Sequence, residues 1–565
     1  MSRCVIDDTL PLFATIDASK IVGGHIEYQI KVQRGQRTEE NWTVSRRYTD
    51  FAALDNDLKV SGFSLTFPPK KAFGNMSREF IAERMQKLQV FLHEVLANWI
   101  LANSLSTKQL LCDEGYSENF QEQALQHISM LLRSEPTWEV VEPLGTIGSR
   151  IRKTYCLVKN KSIQKTRYML TWCSAGPYAS IEDKERITLV KSLENLQHAN
   201  LLPVHYSACS AAGAMVIRPY MEGGSLRDMM YKVKPKTGYL KKCGNHKSVG
   251  HLALADIKKF GRQILEVIKY MTDKGFPMGH VHLGNVFIED GNVRISDIEN
   301  FILGVPPAYR TFATYHRKCN TLEALNAYSF GHLLYQMKYG CILHHSSYEA
   351  LPGPCAPELE SILFQLLTFE SLKSGIPSIE DLLNLPFFAE VTVPTIPKPV
   401  VKIPSKLKEC LRNTKSMFEE TLKEEQRVVA QIRKRNKVQA YHMTDEEKRK
   451  RKQSQKKSIA EDPTRSSLTG KPAANGNSGG NKPLVQSASS VAPAAPPPPP
   501  APAPPAPPAP APPAPGPPPP APGPPPPQGS ANGGNQRTAL LDSIGGFSKA
   551  KLKKAVTVDK SAPRV

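Results

Sequence analysis

Nowhere in the 565 residues do about 18 apolar residues run without a charge, which excludes a membrane-spanning helix and leaves peripheral contact with a bilayer. The ten cysteines include no C-x-x-C pair, and no N-terminal apolar stretch resembles a signal peptide. A reducing, cytoplasmic setting without a disulfide framework is therefore expected. Paired ligands at structural-zinc spacing are missing too. Cys243-Gly-Asn-His246, with His251 and His280-Val-His282 beyond it, belongs to the Lys-rich stretch Lys232 to Lys247, read as an exposed insertion. Acidic residues are in the minority, 52 Asp and Glu against 73 Lys and Arg, and much of the +21 formal charge lies after Lys402. Large apolar residues recur from Met1 to about Glu390 but become scarce beyond Lys398, so the tail cannot bury a core of its own.

In the first third, Leu12 to Val22 and His25 to Arg34 alternate apolar and polar residues around Gly23-Gly24, a hairpin pattern, and Asn41 to Arg46 continues as a third strand. Asp50 to Val60 reads as a helix. A Pro-bearing loop follows through Pro68-Pro-Lys-Lys71, and Ser77 can cap a helix with the stripe Ile81, Met85, Leu88, Leu92 and Val95. Three strands and then helices imply an α+β domain. Arg46-Arg-Tyr-Thr-Asp-Phe51, then Phe67-Pro-Pro-Lys-Lys-Ala-Phe73, then Glu83-Arg84 resemble, in that order, the phox-homology (PX) domain, over residues 13–119. The resemblance implies that Arg47 grips the 3-phosphate of an inositol lipid, phosphatidylinositol 3-phosphate being favoured. Tyr48 would stack beneath the ring, and Lys71 and Arg84 would hold further phosphate and hydroxyl oxygens. The residue types suit this work, because a guanidinium forks onto phosphate and an ammonium adds a point charge beside it. Phe73 and Met76 would either insert into the bilayer or be partly buried.

Over residues 136–390 the pattern is strands, a helix ending Leu193 to Leu196, more strands, and then mostly helices. Gln197-His-Ala-Asn-Leu-Leu202, Arg218-Pro-Tyr-Met-Glu-Gly-Gly-Ser-Leu226, Asn285-Val-Phe-Ile288, Ile295-Ser-Asp297 and Asn326-Ala-Tyr-Ser-Phe-Gly331 resemble successive landmarks of protein kinases. A bilobal α+β fold is implied, with Asn285 and Asp297 as candidate magnesium ligands. Phosphoryl transfer also needs a base and a cation on the phosphates. Counting back from Asn285, the catalytic aspartate falls on His280, whose ring is longer and differently aimed than a carboxylate. The phosphate-anchoring lysine should lie in Arg167-Tyr-Met-Leu-Thr-Trp172, which has none. Its glutamate partner falls on Leu189, with Glu185 one turn away. In the glycine loop Gly145 remains, while Ile147 and Arg150 replace the later glycines and Gly148 keeps some flexibility. Ile-Glu follows Asp297 where Phe-Gly is usual, and no Ala-Pro-Glu marks a substrate platform. A pseudokinase is expected, with ATP and magnesium binding left open in the absence of turnover.

Residues 398–535 read as a basic and then Pro-rich disordered linker. Within it Leu407, Leu411, Met417, Leu422 and Val429 are spaced for a partly formed helix. Lys448 to Lys457 is nearly all basic and suits anionic lipid, actin or nuclear import; it lacks aromatic residues to stack on bases, so nucleic acid is not expected. Ala492 to Pro527 favours polyproline II, a ligand for profilin or SH3 domains or a stiff spacer. In 536–556, Leu540, Leu541 and Ile544 share one helical face, and Leu552, Lys553 and Lys554 follow. This resembles the WASP-homology actin-binding motif.

The order of these parts resembles the family that joins PX and kinase-like domains. It implies a cytoplasmic scaffold, peripheral on endosomal or plasma membrane, that binds phosphoinositides and actin and regulates membrane cargo such as receptors or ion pumps. The alternatives are an active unconventional kinase and a primarily actin-regulatory protein.

Overall fold

The computed structural model describes residues 6–37, 40–70, 76–245, 249–392 and 403–460. Lys71, Phe73, the Pro-rich tract and the 536–556 motif lie outside the described residues. The first body is an antiparallel meander, β1 (Leu12–Val22), β2 (His25–Arg34) and β3 (Asn41–Arg47), joined at Gly23 and Gly24 with φ of 54° and 80°, a backbone that favours glycine. Alternation sends Tyr28, Ile30 and Val32 into the core beside Phe51 and Leu54 of the helix Tyr48–Leu58 and Leu88, Phe91 and Leu92 of the helix Arg78–Ala97. Ser77 caps the latter by accepting from the Phe80 N–H at 3.3 Å.

The second body has two lobes. Its sheet comprises β4 (Trp138–Pro143), β5 (Lys153–Asn160), β6 (Ile163–Ser174), β7 (Tyr206–Ser210) and β8 (Gly213–Pro219), in the order β4-β5-β6-β8-β7. Below it lie mostly helices, with the hairpin β9 (Val286–Glu289) and β10 (Asn292–Ile295) at the junction. The helices Leu254–Asp273 and Leu322–Tyr339 supply much of the lower core, among them Ile264, Ile268, Phe330 and Leu334.

Two expectations are corrected. The Lys-rich stretch is only partly exposed: Lys232, Lys234, Lys236 and Lys241 face solvent, but Tyr239 and Cys243 are buried against Ile100 of the first body, and the Asn245 N–H donates to the Ser61 carbonyl at 2.7 Å, while His246 and Lys247 lie outside the described residues. No group that could hold a metal ion occurs among the described residues. The start of the expected linker is instead one long helix, Ser405–Ala460, whose first turns pack on the kinase-like body. Leu407, Leu411, Leu422 and Val429 are buried as the spacing predicts, but Met417 is 54% exposed and Phe418 takes the inward position. The spacing of apolar residues defines a stripe only when it has something to cover, and here the kinase-like body provides it.

Candidate functional sites

In the first body the two neighbouring arginines divide their work. Alternation along β3 places them on opposite sides. Arg46 is spent on structure, donating to the carbonyls of Leu110 at 2.7 Å and Gln109 at 3.2 Å, whereas Arg47 is exposed, with a loose 3.7 Å pairing of its Nε to Glu27 among the described residues. The Asp50 carboxylate accepts from the Arg47 N–H at 2.7 Å and so starts the next helix. Tyr48 donates its hydroxyl to the Pro68 carbonyl at 2.8 Å and lays its ring 5.4 Å from that of Phe67, which anchors the Pro-bearing loop. Arg84 is only 6% exposed, with its guanidinium carbon 4.5 Å from the Tyr48 ring centre and 4.2 Å from that of Phe80. Its Nη2 has no hydrogen-bond partner among the described residues. A buried guanidinium held by two rings and short of an acceptor is a ready anion site.

In the second body a cleft runs between the lobes, lined by Gly148, Arg150, Tyr155, Met169, Thr171, Met221, His282, Phe287 and Asp297. Thr171 occupies the cleft-facing position on β6, in the run where the lysine was expected. The cation arrives from the neighbouring strand: Lys153, at the start of β5, is buried, with its Nζ 2.8 Å from Asp297 Oδ1 and 3.4 Å from Asn300 Oδ1. Burial alone would discharge this ammonium, but Asp297 together with Tyr155, Glu299 and Cys173 outweighs it and raises its affinity for the proton, while Lys153 in turn holds the Asp297 carboxyl below its ordinary range against burial. Sequence reasoning missed Lys153 because it searched one strand. The cross-strand register, Lys153 opposite Cys173 and Tyr155 opposite Thr171, was the signal that could have found it.

Asn285 is fully buried. Its amide donates to the His280 and Ser296 carbonyls and accepts the His282 N–H at 3.0 Å, so the loop consumes the side chain. Asp297 lines the cleft at a left-handed φ of 66°, a conformation a non-glycine residue holds only when its surroundings enforce it. Of the two candidate magnesium ligands, Asp297 lines the cleft, whereas the Asn285 side chain is engaged by the backbone of its own loop. His280 is 3% exposed and neither ring nitrogen has a hydrogen-bond partner among the described residues. Burial keeps it neutral, well below the usual histidine range, and pushes His282 down to about 3.

The carboxylates are rearranged as well. Leu189 is in the core, and Glu185 pairs at 2.7 Å with Lys406 of the C-terminal helix. Glu299, where glycine is usual, forms a buried pair with Arg218, Nη2 to Oε2 at 2.6 Å. The segment after it is tied down by Gln426, which donates to the carbonyls of Ala313, His316 and Cys319 at 3.2, 2.9 and 2.9 Å, while Glu419 accepts from the Leu322 N–H at 2.9 Å.

A three-stranded α+β body joined to a two-lobed kinase-like body defines a class. Residues 35–114 match the PX domain, 171–301 the protein tyrosine and serine/threonine kinase family, and 533–562 the WH2 motif. A mouse PX domain-containing protein kinase-like protein is 44% identical over 439 residues, 78% of this chain and 75% of that one. The chain belongs to the family of PX domain-containing protein kinase-like proteins. A Dictyostelium discoideum relative named probable inactive serine/threonine-protein kinase slob1 is 29% identical over 290 residues, 46% of this chain and 48% of that one. Mouse sorting nexin-16 is 42% identical over 88 residues, 15% of this chain and 25% of that one.

Proposed function

We propose that this protein is a membrane-recruited pseudokinase scaffold. Its PX domain holds a phosphoinositide headgroup through Arg47, Tyr48, Lys71 and Arg84, and its WH2 motif holds monomeric actin through Leu540, Leu541, Ile544, Leu552, Lys553 and Lys554. The observation that carries the lipid reading is Arg84: a guanidinium 6% exposed, between two aromatic rings, with an unsatisfied Nη2 that a headgroup oxygen would complete. The likeness of the PX domain to a sorting nexin supports a role in sorting membrane cargo, and an endosomal address with phosphatidylinositol 3-phosphate as the lipid is the reading taken from the PX resemblance. Absence of turnover is supported by His280, whose buried, neutral ring stands where a cleft-facing carboxylate is needed to take a hydroxyl proton. The relatives named inactive kinases support the same reading.

One experiment tests both ends of the scaffold. Liposomes carrying phosphatidylinositol 3-phosphate, the full chain and fluorescent monomeric actin are sedimented together. The parent chain should carry actin into the pellet. Arg47→Ala should remove both chain and actin, a loss of about 2 to 5 kcal/mol for a charged contact, whereas Leu540→Ala with Leu541→Ala should leave the chain on the membrane and strip the actin. Sedimentation of Arg47→Ala like the parent would refute the lipid site.

A further inference from the structure

We infer that Lys153 is the phosphate-anchoring cation of the kinase-like cleft, supplied by β5 in place of the missing lysine of β6, and that the cleft takes a magnesium nucleoside triphosphate. The geometry starts with the sheet. Adjacent antiparallel strands bring opposed residues within about 5 Å of each other, and the β5–β6 register sets Lys153 opposite Cys173, two residues along from Thr171. A lysine side chain is long enough to cover that offset, so an ammonium can move from one strand to its neighbour and still serve the same cleft.

Where its Nζ lies supports the transfer. It touches Asp297 and Asn300, both of which line the cleft. The other carboxylates that could hold it are committed: Glu299 to Arg218 and Glu185 to Lys406, while Leu189 stands where the usual glutamate partner would be. Asp297 is therefore the partner of Lys153, and it is also the residue positioned to ligate magnesium. A metal-bound phosphate fits such a pair from outside, the cation facing the carboxylate and the phosphate facing the ammonium, so that no buried charge is left alone. A purely structural pair in this place would be costly, because two apolar residues of similar volume usually serve as well or better. The left-handed backbone at Asp297 adds a second cost of the kind that concentrates at functional sites. Tyr155, Met169, Met221 and Phe287 offer apolar surface for a base along the same cleft. The loop above lies close to this surface, for a Cβ on Gly148 would sit 2.7 Å from the Tyr155 hydroxyl, so glycine is needed there.

Nucleotide binding here is separate from turnover, which His280 opposes, and from the membrane and actin sites. The test uses the full chain. Calorimetry and thermal unfolding with magnesium ATP should show binding to the parent, weakened at least about tenfold in Lys153→Met, the loss of one charged hydrogen bond, and recovered when Thr171→Lys is added to restore the ammonium on β6. Since Lys153→Met could also fail to fold, a second measurement uses the parent alone. An acyl phosphate of ATP transfers its acyl group to a nearby amine, forming an amide as the carbonyl–phosphate oxygen bond breaks, with ATP leaving and the amine proton passing to water. Peptide mass spectrometry should find the label on Lys153, with protection by magnesium ATP. A folded parent that binds no magnesium ATP, an equally tight Lys153→Met, or labelling that spares Lys153 would each overturn the inference. All three outcomes leave the liposome result untouched, so the two readings fail separately.

Discussion

Arg310 is a heavily committed cation of the kinase-like body. It is 1% exposed and binds two carboxylates far apart in sequence, Asp7 and Glu425, with Thr9 Oγ1 at 3.4 Å and the Tyr178 ring 5.1 Å away. Tyr178 donates toward the same two acids, at 3.1 Å to Glu425 and 3.3 Å to Asp7. Burial alone would raise the Asp7 carboxyl, but Arg310 and Thr9 outweigh it and hold it below its ordinary value. Removing the guanidinium strands two partly buried charges, so Arg310→Met should lower the unfolding free energy by about 3 to 5 kcal/mol. Arg310→Lys should recover only part, because an ammonium cannot fork between two carboxylates. Urea unfolding ranks the three chains, and a Met variant within about 1 kcal/mol of the parent would mean that Arg310 holds nothing in place. None of this is visible from Arg310 alone, which in sequence is an ordinary charge in a loop. The same holds for Lys153, whose role appears only once β5 and β6 are paired.

At the scale of elements, the C-terminal helix decides the shape of the kinase-like body. Its inward residues Leu411, Phe418 and Leu422 meet that body's core, and its polar residues Lys406, Glu419, Glu425 and Gln426 seize the Asp183–Ser192 helix and the segment around Arg310. That segment is held by the chain's own helix. The apolar residues of a helix were legible in the sequence, yet the reading took Met417 where the structure buries Phe418, seven residues after Leu411. A one-residue error turns a helix face by about 100°, and only the partner surface corrects it. Leu411→Ala should cost about 2 to 4 kcal/mol, as expected for a buried leucine, while Met417→Ala should stay within about 0.5 kcal/mol. Comparable losses at the two positions, measured by chemical denaturation, would refute the register.

Across the whole molecule, the kinase-like body carries histidines that burial keeps neutral. His282 and His332 are pushed down to about 3 and His198 to about 4, from an ordinary 6.5. The unfolded chain takes up these protons as the pH drops through 6.5, whereas the folded body resists until much lower values, so stability falls with falling pH. Each group contributes about 1.4 kcal/mol per pH unit across that window. Urea unfolding at pH 7.5, 6 and 5 should therefore show progressive loss below about 6.5, and a flat profile would mean that these rings are protonated or exposed. The sequence by itself determined the order of parts, the PX strands and the place of Arg47 at the end of β3, because each depends on local pattern or on spacing from a fixed landmark. Only the tertiary structure decided where Lys153 reaches, why Asn285 is spent, what Arg310 joins and which face of the C-terminal helix is buried. Those outcomes depend on which side chains meet across strands and lobes, and a buried charge takes its meaning from the partner that folding brings to it.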